Sequence, residues 1–292
     1  MPSDHRALEA AVILPHFNDV ERLARCLAAL RPQAELLGGA VEVVVIDNGS
    51  DVSLDLAREA WPGVRILIET AKGAAPARNR GVAETTAPRL FFLDSDCIPE
   101  PGWLAAAIAA GPRADVVGGA VSVFDETGEP RSGAEAFETV FAFDNKGYVE
   151  RKGFSVSANL LTRRDVFEDV GGFRSGLSED LDWCRRATAA GYTLAYADDV
   201  RVLHPTRSDW SALRRKWKRI TEETWGLESR GFTARAMWAT RALGMIPSIL
   251  AHAPKILHHP DLTGVDRGLA LATLARLRLT RLGWMMAQAI RR

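Results

Sequence analysis

Three short apolar runs, each ending in a polar knot, set the terms on which this chain can fold. Ala11-Val12-Ile13-Leu14 leads into Pro15-His16-Phe17-Asn18, and Val41 to Ile46 leads into Asp47-Asn48-Gly49-Ser50-Asp51. Leu90-Phe91-Phe92-Leu93 leads into Asp94-Ser95-Asp96, and Val64 to Ile68 is a further strand-like run. Helical spacing lies between them: Val20, Leu23, Cys26, Leu27 and Leu30 after the first knot, and a segment around Ala77, Arg78, Asn79 and Ala83 before the last. Strands apolar on both faces must be covered on both faces, which predicts an α/β domain built on a parallel sheet. Ligands of such sheets sit beyond the carboxyl ends of the strands. The three polar tips are therefore expected to converge on one crevice.

Asp94 and Asp96, at the end of a buried strand, are costly to desolvate unless a partner or a cation meets them. A carboxylate pair with this spacing suits a hard divalent ion, Mg²⁺ or Mn²⁺, held by few protein oxygens plus a ligand's phosphates. Taken alone, the triplet reads first as a cap for a helix that begins after Pro99 and Pro101. The first strand is followed by no Gly-x-Gly-x-x-Gly, and no Gly-x-x-x-x-Gly-Lys-Ser/Thr occurs, so Rossmann dinucleotide and Walker-type phosphate sites are excluded. A diphosphate bound here would need a metal to meet its charge.

Cys26, Cys97 and Cys184 lack metal-ligand spacing and read as reduced thiols of a cytosolic protein. Met1-Pro2-Ser3-Asp4-His5-Arg6 has no apolar segment of secretory type. No run approaches the ~20 apolar residues of a membrane span. Formal charge is zero over 292 residues, yet residues 201–292 hold 17 Lys+Arg against 6 Asp+Glu, leaving 20 against 31 before them. A basic end on an acidic body predicts an anionic neighbour.

The ordered set Val12-Ile13-Leu14-Pro15-His16-Phe17-Asn18, Val44-Val45-Ile46-Asp47-Asn48-Gly49-Ser50-Asp51, Ala77-Arg78-Asn79-Arg80-Gly81 and Phe92-Leu93-Asp94-Ser95-Asp96 resembles the successive motifs of family 2 glycosyltransferases. Ser157-Ala158-Asn159-Leu160-Leu161, Gly171-Gly172-Phe173 and Ser178-Glu179-Asp180-Leu181-Asp182-Trp183-Cys184-Arg185-Arg186 extend the resemblance over roughly residues 10–205. It implies the GT-A fold, with a mostly parallel central sheet flanked by helices. It also implies a nucleotide-diphosphate sugar donor, UDP-linked by preference, and inversion at the anomeric carbon. The expected organisation is a catalytic domain over 1–207 (nucleotide-binding 1–100, acceptor-binding 101–207) and a basic helical region over 208–292.

Residue by residue, the resemblance implies that Pro15, Phe17 and Asn18 line the base pocket and that Asp47 hydrogen-bonds the base. An ionised carboxylate only accepts, which suits a ring N–H such as uracil's. Arg78, Asp94, Ser95 and Asp96 are implied at the donor, and Asn79 is expected to bridge backbone groups. The metal falls to Asp96, with Asp94 and His204 as further ligands. Asp180 is the implied base and Glu179 its alternative, while Asp182 reads as a cap or surface charge. Trp183 either stacks on the acceptor sugar or packs its helix.

Trp210, Trp217 and Trp225 recur on one helical face with Leu213 and Ile220, among Arg214, Arg215, Lys216, Lys218 and Arg219. Packing is the expected role of that stripe. Apolar runs with interspersed arginines further on fit the interface of an anionic leaflet, a tail docked on the body, or a dimer contact. The expected acceptor is a glycan or lipid-linked precursor of the cell surface, and the expected location is cytoplasmic, peripheral on the inner face of the membrane. The rival readings are a sugar-phosphate nucleotidyltransferase, which wants a Gly-rich first loop, and a catalytically silent glycan- or nucleotide-binding relative. Nucleic-acid binding has no accompanying module.

Overall fold

The apolar runs become strands and the knots become the loops at their carboxyl ends. The computed structural model describes residues 7–176, 178–226, 228 and 231–290, so Met1–Arg6 lie outside the described residues. The chain begins β1 (Ala10–His16), α1 (Val20–Leu36), β2 (Val41–Asp47), α2 (Asp55–Ala60), β3 (Arg65–Ile68), α3 (Ala74–Ala83) and β4 (Arg89–Leu93). It continues with β5 (Ile98–Pro99), α4 (Trp103–Ala110), β6 (Val116–Phe124), α5 (Gly133–Phe141), α6 (Asn145–Lys152), β7 (Asn159–Arg163) and α7 (Arg164–Val170). Then come α8 (Glu179–Ala189), β8 (Leu194–Pro205), α9 (Trp210–Gly226), α10 (Phe232–Leu243), α11 (Met245–Leu257) and α12 (Gly264–Ile290).

The strands form one sheet in the order β3-β2-β1-β4-β7-β6-β8-β5. Its first four strands are parallel, and β7 joins β4 antiparallel. The register sets His16 opposite Asp47, so the first two polar tips lie side by side. Side chains alternate across the sheet. Ala10, Val12 and Leu14 pack with Leu23, Cys26 and Leu27 of α1, whereas Ala11 and Ile13 pack with Ala77 and Val82 of α3. That alternation buries both faces of β1, as its unbroken apolar run requires.

Two side-chain details fix the sheet. A Cβ on Gly81 would lie 2.4 Å from Cγ2 of Ile13, so a glycine is what lets α3 lie against β1. Asn159, fully buried, donates to the carbonyls of Ala120 and Val200 and accepts from the Trp103 indole. One amide thus ties β7 to its neighbour β6 and, beyond it, to β8.

By its contacts the chain divides into two units, one of 1–122, 144–175 and 179–204, the other of 123–143, 176–178 and 205–292. The second differs from a simple boundary at 207, because α5 clusters with the C-terminal helices. Within it, α5, α9, α10 and α11 pack on the long α12. Leu213 is fully buried there, with Trp210 and Trp217 packed against the same core, so the aromatic stripe serves packing. Glu138 of α5 accepts from Lys216 at 2.7 Å and from the Arg207 backbone, also at 2.7 Å. Burial pushes Lys216 down to about 8, while the charges of Lys216 and Arg207 outweigh burial and hold Glu138 below the usual carboxylate range.

All three cysteines are buried thiols. Burial pushes Cys184 up to about 12 and also raises Cys26. Among the described residues no helix is long and apolar enough to cross a membrane.

Replacing Gly81 with Ala is expected to cost about 1–3 kcal/mol through overpacking against Ile13. A lowered urea midpoint with an unchanged m-value measures it; an unchanged midpoint removes the close approach of α3 to β1 from the account.

Candidate active site

The carboxyl ends of β1 and β2 are stitched by short polar side chains. Asn18 adopts a left-handed φ of 54°, which asparagine tolerates better than most residues. Its carbonyl accepts from the Asp51 backbone at 2.7 Å, and its own N–H donates to the Ser50 hydroxyl at 2.8 Å. Asp47, 4% exposed, accepts from the Ser50 hydroxyl at 2.5 Å and the Ser50 backbone at 3.1 Å. Its carboxylate therefore closes the turn. Pro15 is half-buried at the end of β1, whereas Phe17 stands 52% exposed with the Lys72 ammonium 5.1 Å from its ring centre. An exposed aromatic face beside a cation is a platform on which a flat ring can stack.

Arg78 joins two distant parts of the chain. Gly81 brings α3 down onto β1, and Arg78, 3% exposed, lies three residues earlier on that helix. One terminal nitrogen donates to Asp94 Oδ1 at 2.5 Å, the other to Glu179 Oε1 at 2.7 Å. The strand tip after β4 and the start of α8 are thereby held by one guanidinium. Burial opposes its charge, but Asp94 and then Glu179 more than offset that and raise its pKa. Both its terminal nitrogens are engaged within the protein.

Asp180 follows Glu179 on α8 and accepts the backbone N–H of Leu181 at 2.7 Å. Burial pushes its carboxyl up to about 6, and the charges of Glu179 and Asp94 add to that against the opposing Leu181 hydrogen bond and Arg78. Asp94, Glu179 and Asp180 thus share one neighbourhood around Arg78.

Asp96 Oδ2 lies 3.4 Å from His204 Nε2, with His204 4% exposed near the end of β8. One carboxylate oxygen and one imidazole nitrogen fit a divalent ion such as Mn²⁺, completed by phosphate oxygens rather than by a protein cage. Among the described residues no group of three His, Cys, Asp or Glu forms such a cage. Asp94 Oδ1 is taken by Arg78.

Of the two roles open to Trp183, the structure shows packing. It is fully buried, stacked on Phe167 with centroids 5.5 Å apart, and its indole donates to the Gly171 carbonyl at 2.9 Å. Its position in α8 turns the ring into the core, so it offers no face to a sugar. Asn79 bridges the Phe173 backbone in both directions, at 2.9 Å each, as expected of it. Asp182 pairs with Arg186 at 2.9 Å, away from the carboxylate cluster.

His16 is the residue that motif reading passed over. It is 2% exposed, with Nδ1 3.5 Å from the Ser95 hydroxyl and Nε2 without a hydrogen-bond partner. Burial lowers its pKa against the opposing charges of Asp47 and Asp19. Strand alternation was the available signal, since it turns His16 away from Phe17 and into the structure between the Asp47 and Asp94 tips.

Solved structures of low sequence identity share this fold. A mannosyltransferase from Pyrobaculum calidifontis, in complex with GDP-Man and Mn²⁺, superposes with a TM-score of 0.56 at 16% identity over 99% of this chain and 75% of that one. GalNAc-T7 with UDP, GalNAc and Mn²⁺ gives 0.52 at 17% identity over 74% of this chain and 48% of the other. The class is a glycosyltransferase of GT-A fold. Residues 11–171 match Glycosyl transferase family 2, and the chain belongs to that family. Glycosyltransferase AglE of Haloferax volcanii is 33% identical over 251 residues, 81% of each chain. The pre-mycofactocin glycosyltransferase of Mycobacterium tuberculosis is 29% identical over 227 residues, 72% of this chain and 46% of that one.

The raised pKa of Asp180 has a consequence for stability. Between about 4 and about 6 the folded state holds this proton and the unfolded chain does not, so this group's contribution falls as pH rises through that window. Asp180→Asn is therefore expected to be more stable than the parent at pH 8, with the difference shrinking below pH 6 and vanishing below about 4. Thermal melts across that range measure it; equal melting temperatures at pH 8 would mean that Asp180 is not strained by its burial.

Proposed function

We propose that this protein transfers a sugar from a nucleotide-diphosphate donor, UDP-linked, to an acceptor hydroxyl with inversion at the anomeric carbon. The observation that carries this reading is the carboxylate cluster around Arg78, in which one member, Asp180, has its carboxyl pushed up to about 6. A base of that strength remains ionised at neutral pH yet takes a proton more readily than an ordinary carboxylate. Asp180 receives the acceptor's proton as the hydroxyl oxygen attacks the anomeric carbon from the face opposite the diphosphate. Glu179, engaged by Arg78, is the weaker candidate, because its charge is already committed.

At the donor, Phe17 offers a stacking face and Asp47 an acceptor for a ring N–H, with Pro15, Asn18 and Ser95 shaping the pocket. Arg78 stands with the donor-binding residues and positions Asp94, to which one of its terminal nitrogens donates. Asp96 and His204 would hold a divalent cation, which when bound supplies charge neutralisation for the departing diphosphate. The acceptor is a surface glycan or its lipid-linked precursor, and the basic end of the chain speaks for a cytoplasmic protein lying peripherally on an anionic membrane.

A panel of UDP-, GDP- and other nucleotide sugars, tested by thermal shift with and without Mn²⁺, should give a metal-dependent rise for a UDP sugar. A rise for GDP sugars alone would reassign the base. Asp96→Asn should abolish the metal dependence of that shift, and equal shifts in parent and variant would release Asp96 from the metal. Asp180→Asn should keep the donor shift and lose transfer by at least about a hundredfold. In the parent, transfer should decline as pH falls through about 6, where Asp180 takes up its proton; a rate unchanged down to pH 5 would return the base role to another group.

A further inference from the structure

From Gly231 to Pro260 the chain has no Asp or Glu, while Arg235, Arg241 and Lys255 lie within it. This segment is α10 and α11. The buried residues of α10 are Ala234, Trp238 and Ala242, at one helical spacing, and α11 buries Ile256 with Ile249 packed beside it. The outward positions carry large apolar residues among Thr233, Thr240, Arg241 and Lys255. Phe232 is 87% exposed and Leu250 78%, and Met237, Leu243, Ile246 and Leu257 are also exposed. Sixteen large hydrophobic residues are exposed among those described, and these six fall within two consecutive helices. The placement is therefore a feature of this segment rather than the scatter found on any surface.

The exposed residues of α11 define a stripe. Ile246, Pro247, Leu250, Ala251, Pro254 and Leu257 all face outward, and at 100° per residue they fall within an arc of about 140°. No charged residue of α11 lies in that arc; Lys255 stands about 40° beyond its edge. Leu243, at the end of α10, continues the stripe, and Arg241 beside it is paired with Glu228.

We infer that the outward face of α10 and α11 docks in the plane of an anionic lipid leaflet. This rests on the peripheral-membrane reading above and names the surface that carries it. Three observations select a leaflet over a protein partner. Apart from Phe232 and Met237 the exposed large residues are aliphatic, whereas protein interfaces draw their energy from Trp, Tyr and Arg anchors set in a polar rim. It lacks carboxylates in a region where residues 201–292 carry 17 Lys+Arg against 6 Asp+Glu, so anionic headgroups meet no repulsion. Finally, α11 has 13 residues, a length of ~20 Å against a hydrocarbon core of ~30 Å, so it can lie in the interface and cannot cross it.

The test is co-sedimentation of the full chain with vesicles of phosphatidylcholine alone or mixed with phosphatidylglycerol. Binding to the mixed vesicles is expected, and the double substitution Ile246→Glu with Leu250→Glu should weaken it at least about tenfold. Its donor-induced thermal shift should match the parent's, which shows that the variant is folded. Charge reversal of Arg214 and Lys218 on α9 serves as the comparator and should weaken binding less. Retained binding in the α11 variant, with loss on reversing the α9 charges, would move the docking surface to α9 and leave the peripheral reading standing. A parent chain that ignores both vesicles removes that reading together with this surface. A parent dimer that the α11 substitutions convert to monomer, again without vesicle binding, would make the face a contact between copies.

Discussion

A single buried guanidinium holds the site together. Arg78 lies inside the protein with one nitrogen on Asp94 and the other on Glu179, groups that are 16 and 101 residues away in the chain. Removing a charged partner from such an arrangement leaves carboxylates facing one another, a far larger cost than an exposed ion pair contributes. The fork geometry matters as much as the charge. A lysine presents a point, whereas the planar guanidinium fixes the angle between two acceptors. Because the strand tip and the α8 start are fixed in this way, Asp180 is held in surroundings that discourage its ionisation without forbidding it.

The same economy explains why the strand-end loops are so rich in Asn, Asp and Ser. Each does local work first. Asp47 closes its turn on Ser50, Asn18 joins that turn to the end of β1, and Asn48 donates to the Glu69 and Ala71 carbonyls while accepting from Gly73. Polar side chains satisfying backbone groups give loops a defined shape at the cleft without a hydrophobic core beneath them. A ligand would find its acceptors already oriented.

Much of this was legible in the sequence because its physics is local. Apolar runs with abrupt polar ends predict strands and the side on which their tips gather, and the observed β3-β2-β1-β4 order delivers that gathering. Asn79 bridges backbone groups as expected, and the aromatic stripe of α9 packs as its spacing implies. What was not legible depends on distance in the chain. Helical spacing alone cannot say whether Trp183 faces a cleft or a core, since that is decided by Phe167 and Phe173 arriving from elsewhere. Nor does anything local announce that Arg78 prefers Glu179, or that Glu138 would call α5 into the helical unit through Lys216. His16 escaped notice for the opposite reason: its neighbours Pro15 and Phe17 carry the motif, and the local alternation that turns it inward is overshadowed by them.

The three buried cysteines carry a practical consequence. With Cys184 pushed to about 12 and Cys26 raised as well, neither offers a thiolate at neutral pH, and Cys97 is shielded from solvent. A maleimide dye would therefore select a cysteine introduced at an outward position, for instance on α11, with the native three left in place. Such a single-label chain could report on the depth and polarity around any chosen residue.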